Sequence, residues 1–258
     1  MKKRITVLLT VSVIISLLVG FGSPVNWGLV PNQQEATPQP PKGGAELLDK
    51  YDAKFVGDTS SKTVYLTFDL GYEAGYTADV LDILKANDIK AIFFLCGHYL
   101  NETELVRRML AEGHTIGNHT DKHKDLPTLN EAAILKDIVD FDTKFVDMYG
   151  QINPDKLVFF RPPQGRIDDK SLKIAKNQGL TTLMWSIAIK DWGKDPIPST
   201  HNANLISKRI HPGAIVLLHI TNAGTPKMLA ELIPMITDKG YRFGTPCQLA
   251  HQNLTIAL

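Results

Sequence analysis

The sequence predicts an α/β fold in a single domain, with a parallel sheet that is either open or closed into a (β/α) barrel. Three observations carry this reading. Segments of strand and helix character alternate about seven times between residues 63 and 243, which implies a parallel sheet. Gly113, Gly179, Gly213 and Gly240 each stand between a helical run and a strand, where left-handed backbone ends a helix. Four strands end in an ionisable or metal-binding residue: Asp69, His119 after Asn118, Arg161 and His219. Parallel barrels carry their chemistry on that rim. The 258 residues suit one barrel, which typically needs about 250.

The elements follow in order. Lys2, Lys3 and Arg4 precede the uncharged, apolar stretch from Ile5 to Gly22. A basic start and an apolar core form a secretory signal, and 18 residues is also the lower limit for a membrane span. Cleaved signal and retained anchor both stay open over residues 1–22, and either exports the rest. Residues 23–61 are a Pro/Gln-rich linker and N-terminal arm, because repeated prolines block helix and central strand. Trp27 and Leu29 could dock that arm, and residues 46–56 are apolar enough to lie against the domain. The domain itself spans 62–250, and 251–258 is a C-terminal tail.

Within the domain, β-branched and aromatic content predicts strands at 63–68, 91–95, 115–118, 157–160, 180–186, 214–218 and near 241–243. Apolar spacing predicts helices at 78–87, 104–112, 130–149, 170–178, 204–210 and 227–239.

Composition narrows the function. Lys+Arg 28 against Asp+Glu 27 gives a charge of +1, so there is no basic face for nucleic acid. Removing 1–22 leaves 25 basic and 27 acidic side chains. A near-neutral exported domain fits work on something large outside the cytoplasm, and a membrane contact only through the N-terminal segment. Hydrophobic residues at 43% and charged residues at 21% exclude whole-chain disorder. Cys96 and Cys247 lie far apart, with no disulfide scaffold and no Cys-based zinc pattern. No G-x-G-x-x-G follows the first strand, so no dinucleotide site is indicated.

The candidate chemistry sits at the strand ends. His119-Thr-Asp-Lys-His123 places two imidazoles at i and i+4. On a helical turn they would face one side and could share a cation, although catalytic zinc normally has three protein ligands. Asp69 is a general base, a metal ligand or an N-cap for the next helix. Arg161, before a stiff Pro-Pro turn, can clamp a carboxylate of the substrate or of Asp69. Asp191-Trp192 reads as a sugar-facing pair, and Trp185 as either another or a core residue. His219 is a catalytic or a buried structural histidine. His98, His114, His201, His211 and His251 lack a partner at such spacing and read as structural or solvated.

Taken together, Thr67-Phe-Asp-Leu-Gly71, His119-Thr-Asp-Lys-His123, Arg161-Pro-Pro-Gln-Gly165, Asp191-Trp192 and Leu217-Leu-His219 stand in a specific order. Over residues 60–250 this resembles the polysaccharide deacetylases, the NodB-homology or carbohydrate esterase family 4 group. Leu47-Leu-Asp-Lys-Tyr-Asp and Thr67 to Thr77 further resemble the delta-lactam-biosynthetic branch, which acts on N-acetylmuramic acid of spore-cortex peptidoglycan. The resemblance implies a distorted (β/α) barrel. It also implies that His119 and His123 hold a divalent cation, zinc first, with cobalt or manganese possible. Asp69 would be the base, His219 the acid, Asp191 the orienter of His219, and Arg161 the clamp on Asp69. Tyr72 and Trp192 would touch substrate, a peptidoglycan strand trimmed beforehand by an amidase.

Two departures from the family pattern stand out. Leu70 replaces the second aspartate of T-F-D-D-G, the third metal ligand, so the cation is expected to be weakly held. Ala188 stands where many relatives carry an acidic residue. Two other readings use the same residues: a deacetylase of N-acetylglucosamine polymers, and a non-catalytic wall-glycan binder with a degraded metal site. Persistence of Asp69, Asp191 and His219 favours the enzyme, since a binder needs neither acid nor base.

Overall fold

The structure, a computed structural model, describes residues 23–32, 35–150, 158–193 and 196–250. The expected signal or anchor (1–22) and the tail (251–258) lie outside the described residues. Two short elements come first, β1 (Val25–Asn26) and α1 (Gly44–Tyr51). The alternation then runs β2 (Thr63–Leu70), α2 (Thr77–Ala86), β3 (Ile92–Leu95), α3 (Thr103–Ala111), β4 (Thr115–Asn118), α4 (Glu131–Tyr149) and β5 (Phe159–Phe160). It continues with β6 (Arg166–Ile167), α5 (Asp169–Asn177), β7 (Thr181–Thr182), β8 (Ile187–Ala188), α6 (Ser199–Arg209), β9 (Ala214–His219), α7 (Gly224–Thr237) and β10 (Arg242–Phe243).

The main sheet has the order β7-β5-β4-β3-β2-β9-β8, with β10 beside the start of β2. Every pairing in it is parallel. β2 is buried along its whole length because both its faces are covered. Side chains alternate across a strand. Val64, Leu66, Phe68 and Leu70 therefore join the core beneath the helices, with Val80, Leu81 and Met228. Tyr65, Thr67 and Asp69 face inward.

The run 181–188 curls the sheet toward a barrel. At its start Leu183 N–H donates to the Phe160 carbonyl (2.8 Å), and at its end Ser186 N–H donates to the Ile215 carbonyl (2.9 Å). Spanning from β5 to β9, it cannot form a continuous ladder with either, so of the strand expected at 180–186 only β7 forms, and β8 begins just beyond it. α6 begins five residues before the expected 204, because its polar first turn, Ser199-Thr-His-Asn202, carries no apolar period. Of the strand expected at 157–160, residue 157 lies outside the described residues.

The proline-rich segment lies along the barrel. β1 pairs antiparallel with β6, Trp27 is buried, and its Nε1 donates to the Trp185 carbonyl at 2.9 Å. Further on, Lys54 N–H donates to the Thr182 carbonyl (2.9 Å) and its own carbonyl accepts from Met184 N–H (2.7 Å). No helix among the described residues is long and apolar enough to cross a membrane.

Candidate active site

The strand ends converge on a cavity of about 730 Å³, within the usual range for small-molecule sites. Asp69, His119, His123 and His219 line it, together with Tyr72, Trp185, Trp192, Cys96 and His98.

Pairing of β2 with β9 sets Asp69 beside His219 in register. Arg161, fully buried after β5, donates from Nη1 to Asp69 Oδ1 (2.8 Å) and to Thr67 Oγ1 (2.8 Å). Its Nε donates to the Leu183 carbonyl (2.8 Å) and Nη2 to the Met184 carbonyl (3.2 Å). Its guanidinium lies 4.1 Å from the centre of the Phe94 ring. Of the two clamping roles open to Arg161, the geometry selects Asp69. Burial pushes the Asp69 carboxyl up, but the Arg161 charge, the nearby histidines and the Arg161 hydrogen bond together hold it below the usual carboxylate range. Asp69 does not cap the next helix. The residue before that helix, Tyr76, makes no side-chain cap bond either; Glu73 instead braces the turn ahead of it, accepting from Gly75 N–H (2.6 Å) and bonding the hydroxyls of Thr77 and Tyr99.

His219 bonds through Nδ1 to Asp191 Oδ1 (2.8 Å), and its backbone N–H donates to Oδ2 (2.7 Å). Burial disfavours the imidazolium, but the hydrogen bond and charge of the fully buried Asp191, with Asp69 beyond, raise its pKa. An acceptor at Nδ1 puts that proton on Nδ1 and leaves Nε2 free for the second.

His119 and His123 do meet, with ring centres 4.9 Å apart, but not on the expected helical turn. Residues 119–123 form an irregular loop with left-handed backbone at Thr120 (φ 65°) and His123 (φ 52°). Thr120 Oγ1 accepts from His123 N–H (2.9 Å) and closes it. His119 donates Nδ1–H to the Arg161 carbonyl (2.7 Å), leaving Nε2 toward Asp69 Oδ2 at 3.7 Å. Burial lowers its pKa to about 4, so the ring is neutral and its Nε2 lone pair is available.

Two neighbouring strand-end positions differ in where they face. Leu70 does not line the cavity; it is wholly buried among Leu66, Phe68 and Val80, because strand alternation turns it away from Asp69. Cys96, set aside because no Cys-based pattern appears in the sequence, does line the cavity. Its sulfur and one nitrogen from each of His119 and His123 all lie within 4.8 Å of one another. Burial, more than its acidic neighbours, pushes the thiol pKa up to about 12. A legible signal existed: Cys96 directly follows β3, the same strand-end position that marked Asp69, His119, Arg161 and His219. His98, read as structural or solvated, is exposed on the cavity wall. His114 and His211 are buried and bonded to Ala91 N–H and Ser186, and His251 lies outside the described residues.

Tyr72 and Trp192, each 54% exposed, stand in the cavity lining as expected of sugar-contacting aromatics. Trp185 combines the two readings, packing in the core while its edge lines the cavity; Gly165 meets it so closely that a Cβ there would lie 2.5 Å from its ring.

The polysaccharide deacetylase family model matches residues 56–183. The chain is 37% identical to the peptidoglycan-N-acetylmuramic acid deacetylase PdaA of Bacillus subtilis, covering 85% of this chain and 83% of that one. The solved structure of that family 4 carbohydrate esterase superposes with a TM-score of 0.82 at 36% identity, over 88% of this chain and 96% of that one. A peptidoglycan-N-acetylglucosamine deacetylase of Bacillus cereus is 34% identical over 77% of this chain and 72% of its own. A family 4 pseudoenzyme from Bacillus anthracis aligns with a TM-score of 0.69 at 28% identity, over 76% of this chain and 67% of that one. The chain belongs to the polysaccharide deacetylase family, with the curled parallel (β/α) fold of the family 4 carbohydrate esterases.

Proposed function

We propose that this protein is an exported, metal-dependent hydrolase of the cell envelope that removes N-acetyl groups from peptidoglycan. Its substrate is N-acetylmuramic acid in strands already stripped of peptide by an amidase, and its product leads to muramic delta-lactam in spore cortex. The observation that carries the reading is one cavity in which a clamped carboxylate, Asp69, faces a carboxylate-held histidine, His219, across paired strands.

Arg161 keeps Asp69 ionised and occupies Oδ1, so Oδ2 is the basic atom open to the cavity. Asp69 takes a proton from the attacking water as the water oxygen bonds the acetamide carbon. Asp191 holds Nδ1–H of His219, and the Nε2 proton passes to the amide nitrogen as the C–N bond breaks. Acetate and a free amine result. His119 and His123 fit a divalent cation, zinc first, since His119 presents a neutral, oriented Nε2. Such an ion, when bound, supplies polarisation of the acetyl carbonyl and stabilisation of the oxyanion. Tyr72 and Trp192 hold the sugar.

Mass spectrometry of muropeptides tests this reading after incubation with amidase-trimmed strands. Acetate release and deacetylated muramic acid are expected, with little reaction on peptide-bearing strands. Equal rates on chitooligosaccharides would favour the N-acetylglucosamine reading, in line with the Bacillus cereus relative. No turnover on any glycan would favour the non-catalytic binder, to which the pseudoenzyme relative points.

A further inference from the structure

We propose that Cys96 is the third protein ligand of the cation, completing a Cys-His-His donor set in place of the carboxylate that Leu70 does not provide. The inference rests on the metal-dependent reading above and adds the ligand that the reading lacks.

Position is the first argument. β3 runs beside β2 with Leu95 paired to Leu70, and Cys96 N–H donates to the Leu70 carbonyl at 3.0 Å. One residue beyond that pair, the sulfur lies on the cavity side of the strand end, the face opposite to the one into which Leu70 points. A Cβ on Gly71 would lie 3.9 Å from it. The second argument is convergence. Ligands bound at about 2.0–2.3 Å in a tetrahedral set lie roughly 3.3–3.7 Å apart. The three donor atoms, all within 4.8 Å, need to close by only about 1 Å to meet that spacing.

The third argument is the weakness of the present partner. Cys96 is buried at 1% exposure, and its thiol reaches only the His119 carbonyl, at 3.8 Å. A packing residue would be expected in an apolar cluster, and Cys96 instead faces the cavity that holds both imidazoles. On binding, the S–H bond breaks, the proton passes to solvent, and the sulfur lone pair bonds the cation. Thiolate with two imidazoles favours zinc and cobalt over manganese or magnesium, which prefer oxygen.

The test uses the full chain, cleared of metal, with Cys247→Ser as background so that Cys96 is its sole thiol. Cobalt(II) is titrated in, and near-ultraviolet absorption is followed for the sulfur-to-cobalt charge-transfer band that imidazole and carboxylate cannot give. The band is expected, and alkylation of the thiol beforehand should abolish it. Bound zinc should in turn protect Cys96 from alkylation. Cys96→Ser, checked for fold by circular dichroism, should lose the band and bind zinc at least about 100-fold more weakly, beyond the effect of a partner outside the ligand shell. Cobalt bound by the parent without the band would overturn the assignment while leaving the deacetylase reading intact. Failure of cobalt and zinc to bind the parent at all would overturn both the assignment and the metal-dependent mechanism.

Discussion

Asp69 and His219 stand opposite each other on paired strands, whereas His119 and His123 stand on a loop held by side-chain and backbone bonds to Asn118, Asp137 and Thr120. The proposed acid–base half is fixed by the sheet itself: register sets the separation, and buried Arg161 and Asp191 set charge and orientation. The proposed cation half takes His119 and His123 from a loop with left-handed backbone at Thr120 and His123, and Cys96 from a third strand end. The first arrangement tolerates little change, because its charges are buried and paired. The second is assembled from a loop and a strand end, which bring the Cys96 sulfur and one nitrogen of each imidazole within 4.8 Å of one another.

The deepest break should come in the acid–base half. Asp69→Asn and His219→Ala are each expected to lower acetate release by about 10²–10⁴-fold with the fold unchanged. The measurement is kcat on peptide-free strands, with circular dichroism as control. Near-normal turnover in either folded variant would remove that half from the chemistry.

Leu70→Asp sharpens the comparison from the other side. If position 70 served the cation half, a carboxylate there would tighten metal binding. The side chain instead enters the apolar core with Phe68 and Val80, so the substitution buries an unpaired charge. We expect a stability loss of about 3 kcal/mol or more with no gain in zinc affinity. Thermal unfolding and zinc titration read the two effects separately, and tighter binding in a stable variant would show that position 70 can still reach the cation.

Much of this was legible in the sequence, and the reasons for the rest are physical. The strand-helix alternation and the strand-end placement of Asp69, Arg161 and His219 follow from local composition, so they survive without tertiary information. The break between β7 and β8 was not legible, because it depends on the segment crossing from β5 to β9. The side to which Leu70 points depends on how far β2 extends, and one residue reverses the face. The spacing of His119 and His123 suggests a helical turn, and left-handed loop backbone brings the rings together instead. Cys96 carried the strand-end signal but no sequence partner, since its neighbours come from β4 and the loop after it.

A smaller effect isolates Asp191. His219 has a raised pKa in the folded protein through Asp191, against about 6.5 unfolded. Its contribution to stability is therefore full below about pH 6.5 and is lost as pH rises through the folded value. In the proposed mechanism His219 is the proton donor, so its deprotonation is expected to set the alkaline limb of kcat/KM. Asp191→Asn should move that limb to lower pH and remove the matching stability increment below about pH 6.5. An unmoved alkaline limb, measured on peptide-free strands, would assign it to another group.

The smallest expected effect lies where the cavity meets solvent, outside both halves. Trp192 is 54% exposed, with Lys190 Nζ 5.6 Å from its ring centre, so removing it leaves no buried hole and no unpaired charge. Stability should be unchanged within about 0.5 kcal/mol. A stacking contact of this kind contributes about 1 kcal/mol, and if it is made equally to bound substrate and transition state, its loss raises KM and spares kcat. Trp192→Ala is thus expected to raise KM for peptide-free strands about fivefold, with kcat and zinc affinity as in the parent. Tyr72→Ala, on the opposite part of the sequence but in the same lining, should behave alike. A fall in kcat with KM unchanged would mean that the ring acts on the reacting centre, and would join Trp192 to the acid–base half.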